Sequence, residues 1–80
     1  MYLKRLRELR EDRDKTQVEI AKILGMKQPQ YARYEKGIRD LPLDSLKILS
    51  QYYEVSSDYI LELTDNIEAY KSLQKYKTKK

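Results

Sequence analysis

Residues 16–37 read TQVEIAKILGMKQPQYARYEKG, and this stretch decides the fold. Thr16 and Glu19 have the T-x-x-E spacing of a capping box, in which the threonine oxygen accepts from a first-turn N–H and the glutamate reaches back to the cap. In the helix that follows, Ile20, Ala21 and Leu24 fall on one face, while Val18 and Ile23 lie off that stripe and are expected to be partly exposed. Gly25 sits just past Leu24, where a helix end often needs a positive φ. Met26 then points inward, and a second helix begins within Lys27–Pro29, where a first-turn proline has no intrahelical N–H bond to lose. Tyr31 and Tyr34, three apart, face the core, so that Gln28, Ala32 and Arg33 fall on the other side, and Gly37 closes the helix. Glutamine and arginine make bidentate hydrogen bonds to purine edges in the DNA major groove, which is wide enough to admit a helix. The stretch therefore predicts two short helices and a tight turn, the second helix offering its polar edge to a duplex.

Working outward, Leu3, Leu6 and Leu9 form a leucine stripe on a short amphipathic helix over Leu3–Glu11, and the charged run from Glu11 to Lys15 ends it. On the other side, Ile38–Pro42 is a linker. Pro42 suits the first turn of a fourth helix running to about Tyr53, with Leu43, Leu46, Leu49 and Tyr53 as its buried stripe. Val55, Ser56, Ser57 and Asp58 supply an apolar staple, a serine cap and a first-turn acid for a fifth helix carrying Tyr59, Ile60, Leu61 and Leu63. That helix holds more apolar surface than so small a core needs, which places part of it against a partner chain. Beyond it the pattern weakens: Ile67, Tyr70 and Leu73 would extend a helix from Asn66, and Lys71–Lys80 reads as a solvated basic tail. The fold expected is all-α: a compact five-helix domain over residues 1–63, then a C-terminal extension over 64–80, partly helical or disordered.

Composition narrows the function classes. Eighty residues make one small domain. Without cysteine or histidine there is no disulfide scaffold, thiol nucleophile, zinc cluster or imidazole base, and with two glycines there is no phosphate-cradling loop, so neither enzyme activity nor a cofactor or metal is expected. No apolar run approaches a membrane span, and Met1-Tyr2-Leu3 is followed at once by charges, unlike a signal peptide, so a cytoplasmic protein is expected. The net charge of +4 is unevenly laid out: residues 1–40 carry 11 Lys/Arg against 7 Asp/Glu, residues 41–70 carry 1 against 6, and residues 71–80 carry 5 against none. A basic front and tail with an acidic back suggest that one face meets a polyanion.

The chain resembles the Xre/Cro-type, lambda-repressor-like helix-turn-helix family. The matching residues are Leu6–Arg10, Thr16-Gln17, Ile20–Gly25, Gln28, Arg33–Gly37, Pro42-Leu43, Leu46 and Val55–Leu61, which together span about residues 3 to 63. The resemblance implies a helix-turn-helix at helices two and three. It places Gln28, Pro29, Ala32 and Arg33 at base-reading positions and Gln17, Lys27, Gln30, Lys36 and Arg39 at positions near the phosphate backbone. It also implies a partly buried Arg10–Glu35 ion pair. The sequence departs from the family where Lys15 replaces an apolar residue before Thr16-Gln17, and where Lys27 and Pro29 replace small hydroxyl residues, removing a side-chain N-cap from the recognition helix.

Two functions follow as expectations. The first is a sequence-specific transcriptional regulator, a repressor, that binds double-stranded DNA as a homodimer on an inverted repeat, pairing through Val55, Ser57, Tyr59, Ile60 and Leu63 and the loop before them. The second is a protein-interaction module such as an antitoxin, whose fifth helix or tail covers a toxin or another regulator and which also binds its own promoter.

Overall fold

The computed structural model describes residues 1–67. Five helices follow one another in the order α1 (Lys4–Asp12), α2 (Gln17–Ile23), α3 (Gln28–Glu35), α4 (Leu43–Tyr53) and α5 (Ser57–Ile60), with no strand among the described residues. Of the helix expected from Asn66, only Asn66 and Ile67 are described, neither of them helical; the rest of it, with Tyr70 and Leu73, and the basic tail lie outside the described residues.

The local signals of the sequence act as expected at the N-termini of α2 and α5. The Thr16 hydroxyl accepts from the Glu19 N–H at 3.1 Å, and the Glu19 carboxylate accepts from the Thr16 N–H at 3.0 Å, completing the capping box. Ser56 accepts from the Tyr59 N–H at 3.0 Å. On α3, Lys27 occupies the cap and makes no side-chain cap bond, with proline following in the first turn. Pro42 caps α4 rather than lying within its first turn.

All five helices end by one device, a left-handed residue whose successor donates back to the last turn. Glycine holds that position after α2 and α3: Gly25 has φ +69° with Met26 N–H bonded to the Ala21 carbonyl, and Gly37 has φ +76° with Ile38 N–H bonded to the Arg33 carbonyl. Asp14, Glu54 and Glu62 adopt it after α1, α4 and α5, closing through Lys15 to Arg10, Val55 to Ser50 and Leu63 to Asp58. Only the glycine pair is visible as a helix stop in the sequence.

α2 packs against α3, α4 against α5, and α1 touches both α3 and α5, so the first helix bridges the helix-turn-helix to the C-terminal pair. The core between them comprises Leu3, Leu6 and Leu9 of the α1 stripe, Ile20 and Ala21, Tyr31 and Tyr34, Leu46, Leu49 and Tyr53, with Val55 and Ile60 completing it. Val18 and Ile23 are outside it.

Two expectations need correction. Leu43 is not part of the buried stripe: it is 81% exposed, because it is the first residue of α4 and stands beyond the point where that helix meets the core. Val55 and Ile60, expected in a dimer interface, are 1% and 0% exposed within this one chain. Their side chains fill the space between α5, α1 and α4, so they are not surface available to a partner. Of the five residues expected at the interface, Ser57 and Tyr59 are half-buried and Leu63 is exposed.

Candidate nucleic-acid interface

The site is built on α3. Tyr31 and Tyr34 anchor it from behind, both buried. Their 100° per residue spacing turns Pro29, Gln30 and Arg33 out to solvent and leaves Gln28 and Ala32 half-buried at the edge. Lys27 before the helix and Lys36 and Arg39 after it are exposed as well, while Gln17, the first residue of α2, is half-buried beside them. Of the residues expected to meet DNA, Lys27, Pro29, Gln30, Arg33, Lys36 and Arg39 are therefore exposed on or beside α3, and Gln17, Gln28 and Ala32 are half-buried.

Beneath that flank runs a chain of polar contacts. Gln28 Nε2 donates to Gln17 Oε1 at 2.7 Å, and Gln17 Nε2 donates in turn to Glu35 Oε1 at 3.1 Å. Glu35 is buried and accepts from Arg10 twice, Nε to Oε2 at 2.7 Å and Nη2 to Oε1 at 3.1 Å, while Arg10 Nη1 donates to the Lys15 carbonyl at 2.9 Å. The expected ion pair is therefore present, and it is the floor on which Gln17 and Gln28 are oriented. Burial works against the charge on Glu35, but the Arg10 guanidinium, aided by the neighbouring Tyr31 hydroxyl and by Gln17, outweighs it and holds the carboxyl below its usual range. The Arg10 guanidinium is held charged by the same hydrogen bonds. Tyr31 is pushed up by burial and by Glu35 beside it, although its hydroxyl, like that of Tyr53, makes no hydrogen bond of ordinary geometry. Gln30, expected near the backbone, also donates to the Tyr34 hydroxyl at 3.3 Å.

Elsewhere among the described residues most cations are already engaged. Lys4 faces Glu62, Arg5 faces Asp65, Arg7 faces Glu11 and Lys15 faces Glu19. Arg13 donates to the Tyr53 carbonyl. The side chains of Lys27, Arg33, Lys36 and Arg39 have no such partner, and beyond α3 and its flanks only Lys22 and Lys47 share that condition among the described residues. The unneutralised positive charge of the folded domain is concentrated around α3.

Sequence reasoning missed Arg5. It lies on the flank of α1 that periodicity assigns to solvent, yet it is buried: its guanidinium stacks 4.0 Å from the centre of the Tyr59 ring and donates to the Tyr59 and Thr64 carbonyls at 2.7 and 2.6 Å. A further bond to Asp65 fixes the segment after α5 to the first helix. Those partners are more than fifty residues away in sequence, so no local signal marks them.

Among the described residues no helix is long and apolar enough to cross a membrane, and no group of acidic side chains is placed to hold a metal ion.

Comparison with known proteins gives one family: the model described as Helix-turn-helix matches residues 6–60. The chain is 44% identical over 66 residues to the uncharacterized HTH-type transcriptional regulator YobD of Bacillus subtilis, an alignment covering 82% of this chain and 59% of that one. It is 41% identical over 58 residues to the HTH-type transcriptional regulator ImmR of the same organism, covering 72% of this chain and 46% of ImmR. It is 34% identical over 68 residues to the cryptic phage CTXphi transcriptional repressor RstR of Vibrio cholerae, covering 85% and 59%. The chain thus spans about half the length of the curated relatives it matches. No solved structure matches it.

Proposed function

The chain belongs to the Xre/lambda-repressor-like helix-turn-helix family, and from that premise we propose that it is a sequence-specific DNA-binding transcriptional regulator that acts as a repressor. The observation that carries the proposal is the coincidence on α3 of an outward polar edge with the cluster of unpaired cations. In this reading Gln28, Pro29, Ala32 and Arg33 meet base edges, with Arg33 a bidentate partner for guanine and Gln28 for adenine. Gln17, Lys27, Gln30, Lys36 and Arg39 meet the phosphates on either side and fix the register. The Gln28–Gln17–Glu35–Arg10 chain supports the reading, because it holds a base-reading amide in one orientation before DNA arrives.

The regulator acts as a two-fold dimer, setting two copies of α3 in successive major grooves about 34 Å apart. With Val55 and Ile60 consumed by the core, the pairing surface rests on Ser57, Tyr59 and Leu63. The exposed Leu43 adds apolar surface to it, sharing a groove with Leu41, Leu46 and Leu61. Selection of bound sequences from a random duplex library tests both halves of the proposal. An enriched inverted repeat with half-sites one helical turn apart is expected; enrichment of single half-sites refutes the dimer, and no enrichment refutes sequence reading.

A further inference from the structure

We propose that the open hollow lined by Tyr2, Arg7, Arg10, Gln17, Glu35 and Lys36 seats a backbone phosphate of the bound duplex, which makes Tyr2 and Arg7 DNA contacts from outside the helix-turn-helix. The inference rests on the reading of α3 given above and extends it to the first helix.

The hollow has a volume of about 380 Å³ and opens beside the end of α3. Its lining carries three cations against one acid. Glu35 and Arg10 neutralise each other, and Glu35 also accepts from Gln17, so the excess charge of the hollow is that of Arg7 and Lys36. At the rim, Lys36 has no partner, and Arg7 has only an exposed one-turn pair with Glu11 at 3.1 Å. An exposed pair of that kind is weak and gives way when a stronger anion is within reach. Gln17 uses one amide N–H on Glu35, which leaves its second for a ligand.

Tyr2 reaches this place because of Gly37. A Cβ built on that glycine would lie 2.9 Å from both Cα and Cβ of Tyr2, so only the missing side chain lets the start of the chain rest on the turn after α3. Tyr2 is exposed there and lines the hollow together with Lys36. The lining thus brings to one hollow an ammonium with no partner, a guanidinium held by one exposed carboxylate, a phenol, and an amide with one N–H to spare. A phosphodiester, with two anionic oxygens, matches them. Gln17 and Lys36 line the hollow and also belong to the proposed backbone contacts, so a duplex on α3 passes directly over it.

The test compares wild type with Arg7→Gln, Arg7→Lys, Tyr2→Phe, Arg33→Ala and, as a control on α4, Lys47→Gln, by titrating the wild-type-selected duplex and a scrambled duplex over a series of salt concentrations. Arg7→Gln is expected to weaken both duplexes alike, by roughly tenfold at low salt, and to lower the salt slope by about one, with sequence preference retained. Arg7→Lys should restore the slope, Tyr2→Phe should cost about two- to threefold without changing it, and Lys47→Gln should do neither. If Arg7→Gln and Tyr2→Phe bind both duplexes as wild type does, while Arg33→Ala has lost sequence preference, the hollow is not a phosphate seat and the α3 reading stands. If wild type binds neither duplex at low salt, both fall.

Discussion

Arg10 and Glu35 meet side by side, Nε to Oε2 at 2.7 Å and Nη2 to Oε1 at 3.1 Å, with both side chains almost wholly removed from solvent. The pair ties the end of α3 to α1, and through Gln17 it also orients Gln28 at the start of α3. One buried interaction therefore serves both the packing of α3 and the pose of Gln28, the first of the side chains proposed to read bases.

Removing one partner should strand the other. Glu35→Ala is expected to lose about 3–5 kcal/mol in chemical denaturation, because the Arg10 guanidinium stays buried without its counter-ion. The double variant Arg10→Met, Glu35→Leu should recover most of that loss while binding DNA less well, since Gln17 and Gln28 lose their anchor. A single variant as stable as wild type would show that the pair is not the tie described here.

The same carboxylate sets a pH dependence. Glu35 is held below its usual value in the folded chain, so it binds its proton more readily once unfolded. Its contribution is fully present above the unfolded carboxyl pKa, near 4.3, and is lost as pH falls through the lower folded value. Glu19, held down by the Thr16 hydrogen bonds, acts in the same direction. Stability measured against pH should therefore decline on the acid side below about pH 4 to 5, and Glu35→Gln should show a shallower decline than wild type.

The left-handed helix ends offer a pair of opposed substitutions. Gly37→Ala meets both a positive φ and the Tyr2 backbone, whereas Gly25→Ala meets a positive φ in open space. The first should cost more than the second, itself about 1 kcal/mol. Glu54→Gly removes the strain of a non-glycine residue at φ +55° and should gain about 0.5–1 kcal/mol, read as a raised thermal midpoint. Equal losses at Gly25 and Gly37 would contradict the close contact with Tyr2.

Thr16→Ala removes the acceptor for the Glu19 N–H and should destabilise the domain by about 1 kcal/mol. Hydrogen exchange should show the extra opening concentrated in α2.

The helix-turn-helix was legible from the chain alone because its signals are local: a threonine and a glutamate three apart, a glycine after a leucine, a proline in a first turn, and two tyrosines on one side of a short helix. What escaped was non-local. Counting apolar residues placed Val55 and Ile60 against a partner, whereas the space between α5, α1 and α4 absorbs them. Periodicity placed Leu43 in the core because it registers angle but not where a helix projects past its neighbours. Arg5 carries no local mark of burial because its carbonyl partners, Tyr59 in α5 and Thr64 after it, are more than fifty residues away, and three acidic residues hold the left-handed positions that glycine alone announces. That Tyr31 and Tyr34 face inward and Arg33 outward follows from helical spacing; the hollow beside α3, which needs Tyr2 against Gly37, has no local signal.

The central claim is that α3 divides its labour, Arg33 reading bases and Lys36 holding phosphate. Titrating Arg33→Ala and Lys36→Ala against a selected operator and its single-position variants, over several salt concentrations, tests it directly. The account predicts that Arg33→Ala relaxes preference at one base pair by about 1–3 kcal/mol, while Lys36→Ala weakens every duplex equally and lowers the salt slope by about one. Identical losses for both variants on every sequence would contradict it.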